Sequence, residues 1–180
     1  EYIATPGRFS GRAFPDESPA GTLRLQKGIY CFDSGIDVNA GWEIKTDLNN
    51  NGLFDPATEG VFFYVRNGDV KINGAAIIKL YAMTSTAGGI PAQLLRYLMF
   101  VPASNQANVE FAGTGDSTYT GMVLAPTSNL DIKGDSTGLD LHTQIIALNT
   151  RISGNGFVDI IYDPNDVPPA IIMSMLAPTK

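Results

Sequence analysis

The sequence has one cysteine and one histidine in 180 residues. A lone Cys31 cannot form an internal disulfide, so cysteine usage does not reveal a redox compartment. Its apolar neighbours Ile29, Tyr30 and Phe32 predict a buried, structural thiol. With His142 as the sole histidine, any Ser-His-Asp or Cys-His arrangement must use it, and no spacing selects a partner. Alternation from Leu139 and Leu141 turns His142 outward or to a corner, where an ordinary polar role is expected. Charge is scarce as well, at 17% of residues, and the twelve Lys and Arg are scattered in a chain of net charge −6. That excludes the clustered cations that nucleic acid or an anionic membrane surface needs. No apolar run approaches the roughly eighteen residues of a membrane helix. Glu1-Tyr2-Ile3 also lacks the basic-then-apolar layout of a leader. The chain is expected to be soluble, processed or excised from a longer secreted protein, because it opens inside a Pro/Gly-rich stretch.

What is plentiful is turn chemistry. Gly and Pro together number 30, and Asn-Gly occurs at 51-52, 67-68, 73-74 and 155-156, an all-β composition for a domain large enough to bury a core without staples. Five times a short apolar strand is followed by a turn and an alternating strand that closes on glycine. The pairs are Ile29-Phe32 with Ile36-Val38 and Gly41, Val61-Val65 with Val70-Ile72 and Gly74, Leu98-Val101 with Val109-Phe111 and Gly113, Met122-Leu124 with Leu130-Ile132 and Gly134, and Ile145-Leu148 with Ile152 and Gly154. The closing glycines are 33, 39, 21 and 20 residues apart, so a turn of about twenty residues repeats, with insertions in the earlier turns. The expected fold is a short parallel β-helix, a right-handed solenoid of about five coils with inserted loops. A β-sandwich would also show short strands and frequent turns; the recurring unit favours stacked coils.

The chain divides into an extended N-terminal arm or linker over 1–22, the solenoid over 23–166 and an apolar tail over 167–180. Tail residues Ala170-Leu176 are expected to cap the coil stack or to reach a neighbouring subunit. Two insertions, Lys45-Gly60 and Thr84-Gln93, should emerge as loops, the second with a short helical turn through Ala92-Arg96.

The sharpest local signal lies in the first insertion. Asp47, Asn49, Asn51, Leu53, Asp55 and Glu59 place oxygen donors at alternating positions around Gly52, as a hard cation requires. Leu53 would contribute its carbonyl, and a bound Ca2+ would be structural. The match to a calcium loop is partial, because position twelve is Thr58 and the acid follows at Glu59. An Asn/Gly turn without metal explains the same residues. A looser acidic group, Asp159, Asp163 and Asp166, reads as a solvated strand end. The glycine clusters at 112–115 and 153–156 lack the strand-to-helix context of a phosphate loop. No acid/base pair stands out, so no catalytic residue is assigned. Tyr30, Trp42, Tyr64, Tyr81, Tyr97 and Tyr119 are candidates for a sugar-stacking platform, although aromatics at strand positions more often pack in cores.

The residues Gly28-Ile-Tyr-Cys, Gly60-Val-Phe-Phe-Tyr-Val with Gly68-Asp-Val-Lys-Ile-Asn-Gly74, Gly121-Met-Val-Leu-Ala-Pro126, and Gln144-Ile-Ile-Ala with Ile152-Ser-Gly-Asn-Gly156 resemble the C-terminal extracytoplasmic domain of TadG-like proteins of Flp (Tad) pilus assembly. The resemblance covers Gly28 to Pro164. It implies a β-helical envelope or surface module with no catalytic residues, though the anchor helix that normally precedes such a domain is not in this sequence. The functional expectation is a non-enzymatic, extracytoplasmic structural or adhesive protein, secreted or at the cell surface. It would act by contacts with other copies of itself or with pilus and surface proteins, including self-assembly into filaments. The alternative is a carbohydrate-binding or carbohydrate-cleaving β-helix with a polysaccharide partner.

Overall fold

A computed structural model describes residues 1–16, 19–134, 138–155 and 158–162. The described chain is all-β. Its strands are β1 (Tyr2–Ala4), β2 (Gly7–Phe9), β3 (Thr22–Leu25), β4 (Gly28–Phe32), β5 (Ile36–Val38), β6 (Glu43–Lys45), β7 (Val61–Val65), β8 (Val70–Ile72), β9 (Ile77–Tyr81), β10 (Tyr97–Phe100), β11 (Asn108–Gly113), β12 (Thr118–Thr120), β13 (Met122–Gly134), β14 (Asp140–His142), β15 (Ile145–Gly154) and β16 (Asp159–Ile160). A 3₁₀ turn at Ala92–Leu94 is the only helical element among the described residues.

The strands form two sheets in which every pair is parallel. The smaller runs β1-β3-β6-β9-β12-β14-β16; the larger runs β2-β4-β7-β10-β13-β11-β8-β5, with β15 added on β13. Beta-strands 10 and 11 lie along one edge of β13, at Met122–Leu124 and Asn129–Gly134, while β15 follows β13 along both stretches. One sheet curls strongly into a half-barrel. The chain thus passes repeatedly from one sheet to the other, adding each new strand beside its predecessor. Parallel pairing of this kind needs a long crossover between partners, and here the other sheet supplies it.

Register places equivalent side chains beside one another. Tyr30, Phe63, Met99, Val123 and Ile145 are successive partners facing the interior, as are Leu80, Tyr119, Leu141 and Ile160 on the opposite sheet. Most of these side chains are fully buried and belong to one continuous cluster, each stabilising the fold by roughly 1.5–3 kcal/mol. Gly113, Gly134 and Gly154 also stand side by side, so three of the five predicted closing glycines occupy one row.

The predicted Val61-Val65 strand is covered on both faces. Phe62 joins Met83, Tyr97 and Met122 in a second apolar cluster, against which Ile90 of the second insertion and Leu94 and Leu95 just after it pack. That insertion therefore folds back over the outer face of the larger sheet, and its helical turn is confined to Ala92–Leu94.

Several details differ from the sequence reading. The stretch read as an arm contributes β1 and β2, which pair with β3 and β4, and Phe14 bridges to Ile36. The two halves predicted within 122–132 are one strand with a register shift between Ala125 and Asn129. Cys31 is only half-buried: it alternates with inward Tyr30 and Phe32, and so faces out beside Tyr64. The tail over 167–180 lies outside the described residues, as do Asp163 and Asp166.

Candidate functional site

The first insertion folds into a closed loop held by its own side chains. Asp47 accepts hydrogen bonds from the backbone N–H groups of Asn51 (3.1 Å) and Gly52 (2.9 Å), and Asn51 Oδ1 accepts from the Leu53 N–H (2.8 Å). Asn49 Oδ1 accepts from the Asn51 N–H as well (3.1 Å). Gly52 takes φ +74° and Asn50 φ +58°, the left-handed turn that these residue types tolerate. Glu59 is 1% exposed; its two oxygens receive the Leu48 N–H (3.1 Å) and the Asp55 N–H (2.9 Å), tying both ends of the loop together. Asp55 accepts from the Ala57 N–H and the Thr58 hydroxyl.

All six residues named as calcium ligands therefore lie in one loop, but their side-chain oxygens converge on the loop's own donors. Among the described residues no group of three or more Asp, Glu, His or Cys side chains converges as a metal-holding set. A cation there would share Asp47, Asn49, Asn51 and Asp55 with these amides and take the Leu53 carbonyl. Glu59, with both oxygens engaged and buried, fits a supporting role better than a bidentate ligand.

The loop is pinned to the sheets from three directions. Arg24, itself buried, donates to the Asp47 carbonyl (2.8 Å), and Lys27 Nζ donates to the carbonyls of Pro56 (2.7 Å) and Ala57 (3.1 Å). Phe54 stacks on Tyr81 with ring centroids 4.9 Å apart and planes at 18°. Burial, and then the charges of Asp47 and Glu59, push the Tyr81 phenol above its ordinary value, so it stays a neutral hydrogen-bonding group.

Beside this stack the two insertions bound an open groove of about 330 Å3, lined among others by Phe54, Tyr81, Thr84, Arg96, Thr120 and Gly121. Arg96 adopts φ +69°, unusual for a residue with a side chain. Its N–H donates to Met83 O and its carbonyl accepts from Met122 N–H, both at 2.7 Å. The backbone is thereby clamped between Met83, just ahead of the insertion, and the start of β13. His142 is the register partner of Thr120, which is in turn the partner of Tyr81, so the single histidine stands on the strand next to the groove. Cys31 lies on the other sheet, and the Cys-His pairing considered from sequence does not form. Burial, reinforced by Asp33 and opposed by Arg8, raises the Cys31 thiol and keeps it protonated at neutral pH.

Of the six aromatics considered as a sugar platform, Tyr30, Trp42, Tyr97 and Tyr119 are buried. Tyr30 and Tyr119 spend their hydroxyls inside, Tyr30 on the carbonyls of Ala4 and Gln26 and Tyr119 on that of Ala112. Tyr64 and Tyr81 remain half-exposed, on different sheets. Arg96 enters the sequence reading only as the end of the helical turn expected through Ala92-Arg96, and Phe54 has no part in it; the αL backbone of Arg96 has no sequence signature.

No helix among the described residues is long and apolar enough to cross a membrane. No family model, curated protein or solved structure matches the chain.

Proposed function

We propose that this chain forms a short parallel β-helix and serves as a non-enzymatic structural or adhesive module of a bacterial pilus or surface assembly. It would be secreted or held at the cell surface and would work through protein contacts. The observation that carries the reading is where apolar side chains meet solvent. Ile146, Leu148, Ile152, Ile160, Ile161 and Tyr162 are all 43% exposed or more, and all lie on or just after β15 and β16, the last strands of the two sheets. A concentration of large apolar groups along strands whose outer edge no described strand pairs is what a protein-binding surface looks like. The stacked rows of equivalent residues support the β-helix, and the TadG-like motifs support the surface role. Ca2+ belongs to this reading as a weakly held structural ion of the loop over 47–59. Protease shaving of intact cells tests the localisation: a surface module is digested while cytoplasmic markers survive, whereas full protection rejects the role.

The groove favours a second reading, a polysaccharide-binding β-helix. An aromatic stack next to two threonine hydroxyls and an arginine is suited to a sugar face and its hydroxyls. Binding on a polysaccharide panel that is lost in Tyr81→Ala, with the fold retained, would promote this reading over the first.

A further inference from the structure

The two ends of the strand stack are not equivalent. At the N-terminal end the inward-facing residues are closed over. Phe14 is 2% exposed and Ala4 6%. Phe9 packs edge-on against Phe14 (centroids 5.0 Å apart) and stacks on Tyr30 and Phe32. At the C-terminal end the same rows run out into solvent. Ile152 continues the row of Ile132 and is 56% exposed; Ile160 continues that of Leu141 and is 48% exposed. Thr150, partner of buried Leu130, is exposed too. Beyond β13, β15 has no further partner among the described residues, and β16 has none beyond β14.

We infer that this open end closes against the same end of a second copy, giving a two-fold dimer. The inference rests on the protein-contact reading above and names its partner. Two features select this occupant. First, among the described residues only one end exposes its inward rows. A head-to-tail filament needs two complementary surfaces on each copy, whereas a two-fold contact needs one self-complementary patch and stops at two chains. Second, among the described residues the last two strands carry one cation and one carboxylate on opposite sheets, Arg151 on β15 and Asp159 on β16, both exposed. A two-fold axis along the strand direction sets β15 against the partner's β16 and so each charge against its opposite, which makes the patch self-complementary in charge as well as in apolar character. Continued strand pairing across the contact would also satisfy the edge of β15 that no described strand pairs.

Light scattering after size exclusion tests this on the full 180-residue chain. The expected mass is twice the 19.2 kDa of one chain, falling to one chain on dilution. Leu148→Asp and Ile152→Asp should each give a monomer with unchanged circular dichroism, while Ile3→Asp at the closed end should leave the dimer intact. Arg151→Asp and Asp159→Arg should each raise the dissociation constant at least tenfold, and the double exchange should restore it, which loss of folding cannot mimic. A chain that is monomeric at all concentrations overturns the inference. If it then dimerises after removal of residues 167–180, the chain's own tail is the cover. Assemblies larger than two that Ile3→Asp dissolves also overturn it, in favour of head-to-tail growth. Each of these outcomes leaves the surface-localisation test unaffected, so failure of the dimer and failure of the surface role are read separately.

Discussion

Ile132 and Ile152 are register partners on β13 and β15; the first is fully buried and the second is 56% exposed. The difference comes from what lies beyond each strand. Phe111 and Ile152 flank Ile132 on either side, whereas the described residues offer Ile152 a neighbouring strand on one side only. Truncation should therefore have unequal effects. Ile132→Ala is expected to cost about 2–5 kcal/mol, because a cavity opens inside a packed row. Ile152→Ala, measured at concentrations where the chain is monomeric, should cost less than about 1 kcal/mol, since little apolar area is lost. Urea unfolding of both variants makes the comparison. Equal losses would mean that Ile152 is covered within one chain.

The same rows show what could be read from sequence. Period-two alternation at Ile36-Val38, Val70-Ile72, Val109-Phe111 and Leu130-Ile132 marks true inward pairs, because each burial is set by the pleat alone. The smaller sheet was far less legible. Strands such as Thr118–Thr120 and Asp140–His142 place one apolar side chain inward between two polar ones, and a single apolar residue cannot show the spacing of two that Ile36 and Val38 do. Their strand character comes from pairing with neighbours distant in sequence. The loop over 47–59 was legible as a polar turn, since Asp, Asn and Gly act locally there. The groove was not, because Tyr81, Arg96 and Thr120 meet only through register and through the return of the second insertion.

Gly121 shows how tightly that junction is built. It takes φ +117°, and a Cβ there would collide with the Ala82 methyl and come within 3.1 Å of the Arg96 carbonyl oxygen and 3.3 Å of Leu98 Cβ. Gly121→Ala should therefore destabilise the chain by about 1–3 kcal/mol through backbone strain, with additional cost from the steric overlap. It should also disturb the groove. Thermal unfolding is the check, and a loss under 0.5 kcal/mol, roughly the level of an ordinary surface change, would show that the junction yields.

Acid should weaken the fold through identifiable carboxylates. Burial pushes the Glu43 carboxyl up, but hydrogen bonds from Lys45 (3.0 Å) and Thr22 (2.9 Å) more than offset this and hold it below its ordinary 4.5. The Thr58 hydroxyl, followed by the Ala57 N–H, holds Asp55 below its ordinary 3.8. A group whose folded value is depressed contributes stability that is complete above its unfolded value and is lost as pH falls toward the folded one. The melting temperature should accordingly be level from neutrality to about pH 5 and decline below that. Glu43→Gln should start lower at pH 7 and decline less. A melting temperature that is constant from pH 7 to about pH 3 would remove both carboxylates from the account.

Calcium and Glu59 can be separated in the first insertion. Because Glu59 satisfies the Leu48 and Asp55 N–H groups from a buried position, Glu59→Ala should cost about 1–3 kcal/mol whether or not calcium is present, through two donors left without an acceptor. Asp47 has a different part. Its oxygens face the exposed N–H groups of Asn51 and Gly52, where a cation can share them, so calcium at about 1 mM should raise the melting temperature of the native chain. Asp47→Ala should abolish that rise, chelation should reverse it, and magnesium should not reproduce it, because the loop offers too few carboxylates to replace its tightly held water. If the native melting temperature does not respond to calcium up to about 10 mM, the loop is closed by its own hydrogen bonds, and Asp47 serves only to cap the turn at Asn51 and Gly52.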